Sequence, residues 1–242
     1  MQYDRLNLRF FRRSNFAAIG HLGRVDKYIK GEILGILPRC TNIILGESEK
    51  FPNPAYLGYW EKYFSQITDP RTISLLEPLS YPLHEDSHIV RIGQGARNFE
   101  AFAREVQLRW EAEGRGPLLE LTADHRERGY RRLRELGVPE DAWFVRLHVR
   151  ESQKDNLRDV RNSDITTYRL AVEAIAQRGG WVIRMGDRTM RPLPAWPNAV
   201  DYAYSGRRED WMDVFLWAEG RFSSAPHPGR RSSRPPSESR SQ

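Results

Sequence analysis

Cysteine is nearly absent: Cys40 is the only one in 242 residues. An intramolecular disulfide and a zinc site built on several thiolates are thereby excluded. Long hydrophobic runs are absent too. Arg5, Arg12, Arg13, Arg24 and Lys27 interrupt every apolar stretch of the first thirty residues, and no later stretch approaches the ~18 residues that a helix needs to cross a bilayer. The expectation is a cytoplasmic protein that is neither secreted nor membrane-spanning. A G-x-x-x-x-G-K-[ST] loop, a G-x-S-x-G elbow and a G-x-G-x-x-G turn behind a strand are all missing, which removes support from P-loop, serine-hydrolase and dinucleotide-binding readings. Asp-x-Asp, a pair that holds a divalent cation at the diphosphate in many sugar transferases, is missing as well. If a diphosphate binds here, arginine must neutralise it, and no cofactor or metal is expected.

Charge is present in excess but not concentrated on the body. The formal net charge is +6, and Arg230, Arg231, Arg234 and Arg240 against Glu238 place +3 of it beyond residue 222. The remainder is interspersed with acids, so no basic stripe argues for a nucleic-acid groove, and no nucleic-acid partner is expected. Residues 223–242 hold seven Ser, four Pro and four Arg without apolar periodicity. Such a segment cannot bury enough surface to offset its ordering entropy and is expected to be disordered.

The body reads as α/β. To about Leu83, short apolar runs (Phe16 to Ile19, Asn42 to Leu45, Ile73 to Leu76) alternate with turn residues, the rhythm of strands between helices. Asn53-Pro54 marks a helix start ahead of Tyr56, Trp60 and Phe64. Phe99, Phe102, Val106 and Trp110 predict one buried face of a helix over about 98–113. Thr122 is expected to cap a second helix carrying Tyr130, Leu133 and Leu136, which Gly137 and Pro139 stop. From Trp143 a βαβ unit follows: a strand to Val149, a helix capped by Ser163, Gly179-Gly180, and a strand over Trp181 to Met185. A short strand at Val200 to Ala203 and a helix from about Asp210 to Ala218 continue it, predicting a parallel, doubly wound sheet. The expected division is an N-terminal lobe over 1–138, a C-terminal lobe over 139–222 and the tail.

In such sheets the ligand crevice lies beyond the carboxyl ends of the strands. His148 and Arg150 belong there, and their alternate spacing puts both on one face of the strand end. A guanidinium so placed can hold a phosphate through two charge-assisted bonds with an imidazole beside it, while a surface arginine next to a packed histidine is the plain alternative. Gly186 lets the backbone approach a ligand, and Asp187 can accept from ribose hydroxyls or serve only to cap a turn. Asp210 and Asp213, one helical turn apart, read either as ligands or as a cap and a first-turn acid.

Leu147 to Ser152 (LHVRES), Asp159 to Asp164 (DVRNSD), Gly179 to Asp187 (GGWVIRMGD) and Asp210 to Leu216 (DWMDVFL), in that order and spacing, resemble a bacterial family of glycosyltransferases. That family is similar to the fucosyltransferase-like GT-B enzymes, which share a His-x-Arg at the start of the nucleotide-sugar lobe. A weaker likeness extends upstream through Ile19-Gly20-His21-Leu22 and Asn53 to Tyr63. The resemblance implies a GT-B-like protein of two Rossmann-like lobes, with Arg150 on the donor diphosphate and His148 its neighbour. It implies Asp187 and Asp213 near the nucleoside and Gly20-His21 in a first-lobe loop facing the cleft. After the DWMDVFL helix the family continues through a Gly-Thr-Ser-Ser-Gly type loop, whereas Ser223-Ser224-Ala225-Pro226 stands here. The expectation is therefore a C-terminal lobe that is incomplete, truncated or altered in frame.

The implied reaction is metal-independent, inverting transfer of a sugar from a nucleotide diphosphate to a hydroxyl of a glycan or other acceptor. Two alternatives stand beside it: an inactive remnant or a nucleotide- or carbohydrate-binding module without turnover, and, third, a nucleic-acid binder using the arginine/serine tail.

Overall fold

The computed structural model describes residues 7–12, 19–46, 51, 53–80, 88–92, 95–151, 162–221 and 223–224. The chain divides into two compact units, Met1–Glu120 and Leu121–Gln242.

In the first unit, β1 (Leu8–Arg12), β2 (Thr41–Leu45) and β3 (Ser65–Ile67) form a parallel sheet in the order β1-β2-β3. Parallel neighbours require crossovers. Helix α1 (Ile19–Ile33) supplies the first and the short α2 (Pro54–Gly58) the second. Asn53 caps α2 by accepting from the Tyr56 amide at 2.8 Å, with proline following it. The run Ile73 to Leu76 does not form a strand. It lies within α3 (Pro70–Ser80), because Asp69 accepts from the Thr72 amide at 2.7 Å and Pro70 opens the helix. Of the run Phe16 to Ile19, residues 16–18 lie outside the described residues and Ile19 begins α1. A hairpin of β4 (Ile89–Ile92) and β5 (Gly95–Asn98) precedes α4 (Phe99–Ala112), whose cap is Asn98. The aromatic stripe of α4 is core: Phe99, Phe102, Val106 and Trp110 pack with Phe11, Tyr28 and Trp60. Phe11 meets Tyr28 and Phe64 edge-on, with centroids at 5.6 and 5.0 Å.

The second unit opens with α5 (Ala123–Glu135), capped by Thr122. A boundary after residue 138 would leave this helix with the first lobe, but it belongs to the second unit. Its Tyr130 packs edge-on against Phe215 of α7 (Asp210–Glu219), and Gly129 admits the same ring. Four parallel strands follow: β6 (Phe144–His148), β7 (Trp181–Met185), β8 (Ala199–Asp201) and β9 (Ser223–Ser224), in the order β8-β7-β6-β9. A 3-10 turn (Ile165–Tyr168) runs into α6 (Arg169–Ala176), and its cap is Asp164 rather than Ser163, since Asp164 accepts from the Thr166 amide. Tyr202 and Ala203, expected in a strand, form a turn after β8.

Alternation along β6 divides the layers. Val145, Leu147 and Val149 pack with Ile165 and Val172 on the α6 face, while Phe144 stacks on Phe215 of α7 on the other, at 6.2 Å. Helices thus cover both faces, the doubly wound arrangement that the βαβ rhythm predicts. Arg146, buried on the α7 face, lies over the Trp217 ring at 4.6 Å and points Nη1 at the Leu216 carbonyl, 3.4 Å away. The carbonyl end of a helix is a favourable place for a cation. Burial pushes the Arg146 guanidinium down to about 10.

The expected tail is corrected at its start. Ser223 and Ser224 pair with Arg146 and Leu147 and extend the sheet on the far side of β6, because backbone pairing needs no apolar side chain. Residues 225–242 lie outside the described residues. Among the described residues no helix is long and apolar enough to cross a membrane.

Candidate functional site

The strand order fixes where a site can form. The chain moves outward from β6 through β7 to β8, then returns by α7 to β9 on the other side of β6. The order therefore reverses at β6, and a ligand crevice is expected at the carboxyl end of that strand. His148 is its last residue and Arg150 follows within two. Arg150 is exposed, and its carbonyl accepts from the Ser163 amide at 2.9 Å, joining the strand end to the segment before α6. His148 is half-buried. Burial first, and then the Arg184 cation, push its imidazole below the ordinary histidine value, against the opposing pull of Asp187. The imidazole is therefore neutral at pH 7 and can still donate one hydrogen bond.

Beyond β7 the backbone turns sharply at Gly186, where φ is +137° and a Cβ would come within 2.4 Å of Met190 Sδ. Glycine is required by both the conformation and the space. Asp187 caps the following turn: its Oδ1 accepts from the Thr189 hydroxyl and from the Thr189 amide. The hydroxyl bond first, then the amide bond, hold this carboxyl below the usual carboxylate range, with Arg208 and Arg184 adding to the effect. The turn is pinned from β8's side by the Tyr204 hydroxyl, which donates to the Met190 carbonyl at 2.6 Å.

Asp213, in the first turn of α7, is only 17% exposed and pairs with Arg208 Nη2 at 3.6 Å. Burial pushes its carboxyl up to about 6. The Arg208 cation opposes that rise and Asp210 adds to it. An open concavity of about 440 Å³ lies among Asp187, Arg188, Ala203, Gly206, Arg208 and Asp210. His148, Asp187, Arg208 and Asp213 thus form a chain of electrostatic neighbours along the carboxyl edge of the sheet.

Sequence reasoning did not find the group that supports this edge. Arg184 of β7 is fully buried, with Nη1 3.1 Å from Asp201, Nη2 3.6 Å from Glu151, and Nη2 donating to the Arg191 carbonyl at 2.8 Å. Glu151 in turn accepts from the Ile165 amide at 3.1 Å, and Asp201 from the Leu193 amide at 2.7 Å. One guanidinium therefore ties the end of β6, the start of the α6 segment, the loop after β7 and β8. The available signal was a lone Arg inside the otherwise apolar run WVIRM, since a charge in a buried strand needs partners.

Gly20 and His21 stand in the first turn of α1, not in a loop; their side chains lie outside the described residues. His84-Glu85-Asp86-Ser87-His88 spells H-E-x-x-H, a metal-binding pattern on which the absence of Asp-x-Asp has no bearing. That pattern binds zinc when a helix sets both imidazoles on one face. Residues 84–87 lie outside the described residues, and His88 is in a bend ahead of β4. Among the described residues no group of three or more His, Cys, Asp or Glu could hold a metal ion.

No protein-family model, curated protein or solved structure matches the chain.

Proposed function

We propose that the second unit binds the nucleotide diphosphate of a sugar donor and that the protein is a metal-independent, inverting glycosyltransferase of the GT-B, fucosyltransferase-like kind. The observation that carries this reading is the position of His148 and Arg150 at the carboxyl end of β6, where the strand order reverses. The resemblance of the LHVRES, GGWVIRMGD and DWMDVFL segments supplies the reaction class.

In this reading an acceptor hydroxyl oxygen attacks the anomeric carbon. The bond from that carbon to the diphosphate oxygen breaks, its electron pair leaves with the diphosphate, and the hydroxyl proton passes to a base. Arg150 offsets the charge that grows on the leaving group, which counts for more in a shielded crevice than in water. Neutral His148 donates a hydrogen bond beside it. Gly186 gives the donor close access to the backbone, and Asp187 and Asp213 lie toward the nucleoside. A second reading, binding without turnover, is favoured by the Ser223 to Pro226 departure from the family's loop.

Titration calorimetry with GDP, UDP and dTDP tests the site. One nucleotide should bind, and Arg150→Ala should weaken it about 30-fold or more, the factor that matches a loss of about 2 kcal/mol for a charge-assisted contact. Binding by none of the three, or unchanged affinity in the variant, overturns the assignment. Release of free nucleotide from a bound sugar donor separates the transferase reading from binding alone.

A further inference from the structure

The concavity beside Asp187 contains two arginines that the donor reading leaves unused. Arg188 stands on the turn after β7 and makes no side-chain hydrogen bond or ion pair among the described residues, while Arg208 stands on the loop between β8 and α7. Gly206, which lines the same hollow, leaves Arg188 Nη2 3.9 Å from where its Cβ would be. Two guanidinium groups on facing loops suit an anion with two charged ends, such as a diphosphate.

The carboxylates decide when such an anion can bind. Asp187 and Asp210 line the hollow and Asp213 lies behind Arg208. With these carboxylates ionised, they offset the positive charge of Arg188 and Arg208 and weaken the attraction for an anion. Asp187 is fixed by Thr189 and held ionised. Asp210 is exposed at the first position of α7, where the helix dipole favours a negative charge. Asp213 alone combines burial with a single cation, Arg208, at 3.6 Å; the other groups facing it are Asp210 on its own helix and the Tyr202 phenol from the turn after β8. Arg208 also reaches Asp187 electrostatically, so it stands between the hollow and Asp213.

We infer that Arg188 and Arg208 form a diphosphate-binding station in this hollow, and that occupation of it draws Arg208 from Asp213, which takes up one proton. The inference deepens the donor-site reading by naming residues other than His148 and Arg150 that meet the nucleotide's diphosphate. The sign of the linkage follows from the uptake. Below about pH 6 Asp213 already holds its proton in the free protein, so affinity is level there and falls as pH rises above it. The limiting slope is tenfold per pH unit, and it lasts until the pKa of the occupied form is reached.

Calorimetry on the full chain with inorganic pyrophosphate, in two buffers of different ionisation enthalpy at pH 7, reads the proton directly. The expected result is net uptake in the wild type beyond that of Asp213→Asn, whose binding retains only the pyrophosphate's own titration. Arg208→Gln should weaken pyrophosphate at least tenfold, and Arg188→Gln should do the same. Arg150→Ala should weaken pyrophosphate but keep the proton uptake per bound anion, because Arg208 and Asp213 are untouched. Equal proton uptake in wild type and Asp213→Asn, unchanged affinity in either arginine variant, or no pyrophosphate binding at pH 6 each overturns the inference. Nucleotide binding that is lost in Arg150→Ala but indifferent to Arg188 and Arg208 sinks the station and leaves the donor site standing; the reverse pattern sinks the Arg150 assignment alone. Circular dichroism on each variant confirms that the fold is retained.

Discussion

Replacing Arg184 by Met should remove much of the second unit's stability. The guanidinium is fully buried, and its partners Glu151 and Asp201 are only 7% and 17% exposed. The substitution keeps approximate volume but leaves two carboxylates facing the interior without their cation. Breaking a buried pair in this way costs about 3–5 kcal/mol. With a urea dependence of about 2 kcal/mol per molar, the unfolding midpoint followed by circular dichroism should fall by roughly 2 M. Arg184→Lys should lie between, because one ammonium cannot reach Asp201, Glu151 and the Arg191 carbonyl together. The triple variant Arg184→Met, Glu151→Gln, Asp201→Asn should recover most of the loss. Amide oxygens still accept from Ile165 and Leu193, and no charge is left unpaired. A loss under about 1 kcal/mol for Arg184→Met, or no recovery in the triple variant, refutes the account of this cluster as a charge-balanced anchor.

Two further outcomes rest on stability. A carboxyl whose folded pKa is about 6, above its unfolded value near 3.8, costs stability when ionised. Asp213→Asn should therefore stabilise the protein by on the order of 1–3 kcal/mol at pH 8, and the gain should vanish as pH falls below the unfolded value; urea midpoints of both proteins across that range check it, and a pH-independent difference contradicts it. Gly129→Ala would place a Cβ 2.1 Å from the Phe215 ring. Its helix-propensity gain of about 1 kcal/mol should be outweighed by overpacking, for a net loss of about 1–2 kcal/mol in thermal or urea unfolding. A stabilised variant would mean that α5 and α7 are not in close contact.

Much of this fold was legible where one local signal dominated. Asn53 and Thr122 were readable as caps because their side chains bond the following amides, as they do. The WVIRM strand and its partner were readable from continuous apolar runs, the mark of a strand covered on both faces. Ile73 to Leu76 misled because an apolar run carries no period; the turn chemistry of Asp69-Pro70 ahead of it decided the matter. β9 was illegible because Ser-Ser has neither β-propensity nor apolar character, and its strand exists only through pairing with β6. At the site, the places of His148, Arg150 and Gly186 followed from strand ends. The contacts of Asp187, Arg208 and Asp213 did not, because the turn after β7 and the segment entering α7 must converge before those charges meet.

That late pairing has a consequence for how the second unit assembles. Ser223 meets Arg146 across 77 positions of chain, whereas Ile183 meets the same residue across 37. Closing the longer loop costs about 0.7 kcal/mol more, and a two-residue strand returns little until Phe215 has brought α7 onto Phe144. The seam between β6 and β9 is thus the last part of the unit to zip and the first to open, and its amides should exchange with solvent soonest. The carboxyl-end crevice is bounded by that seam. A ligand filling it would act as a clasp, slowing the unit's opening at the point where the fold itself holds least firmly.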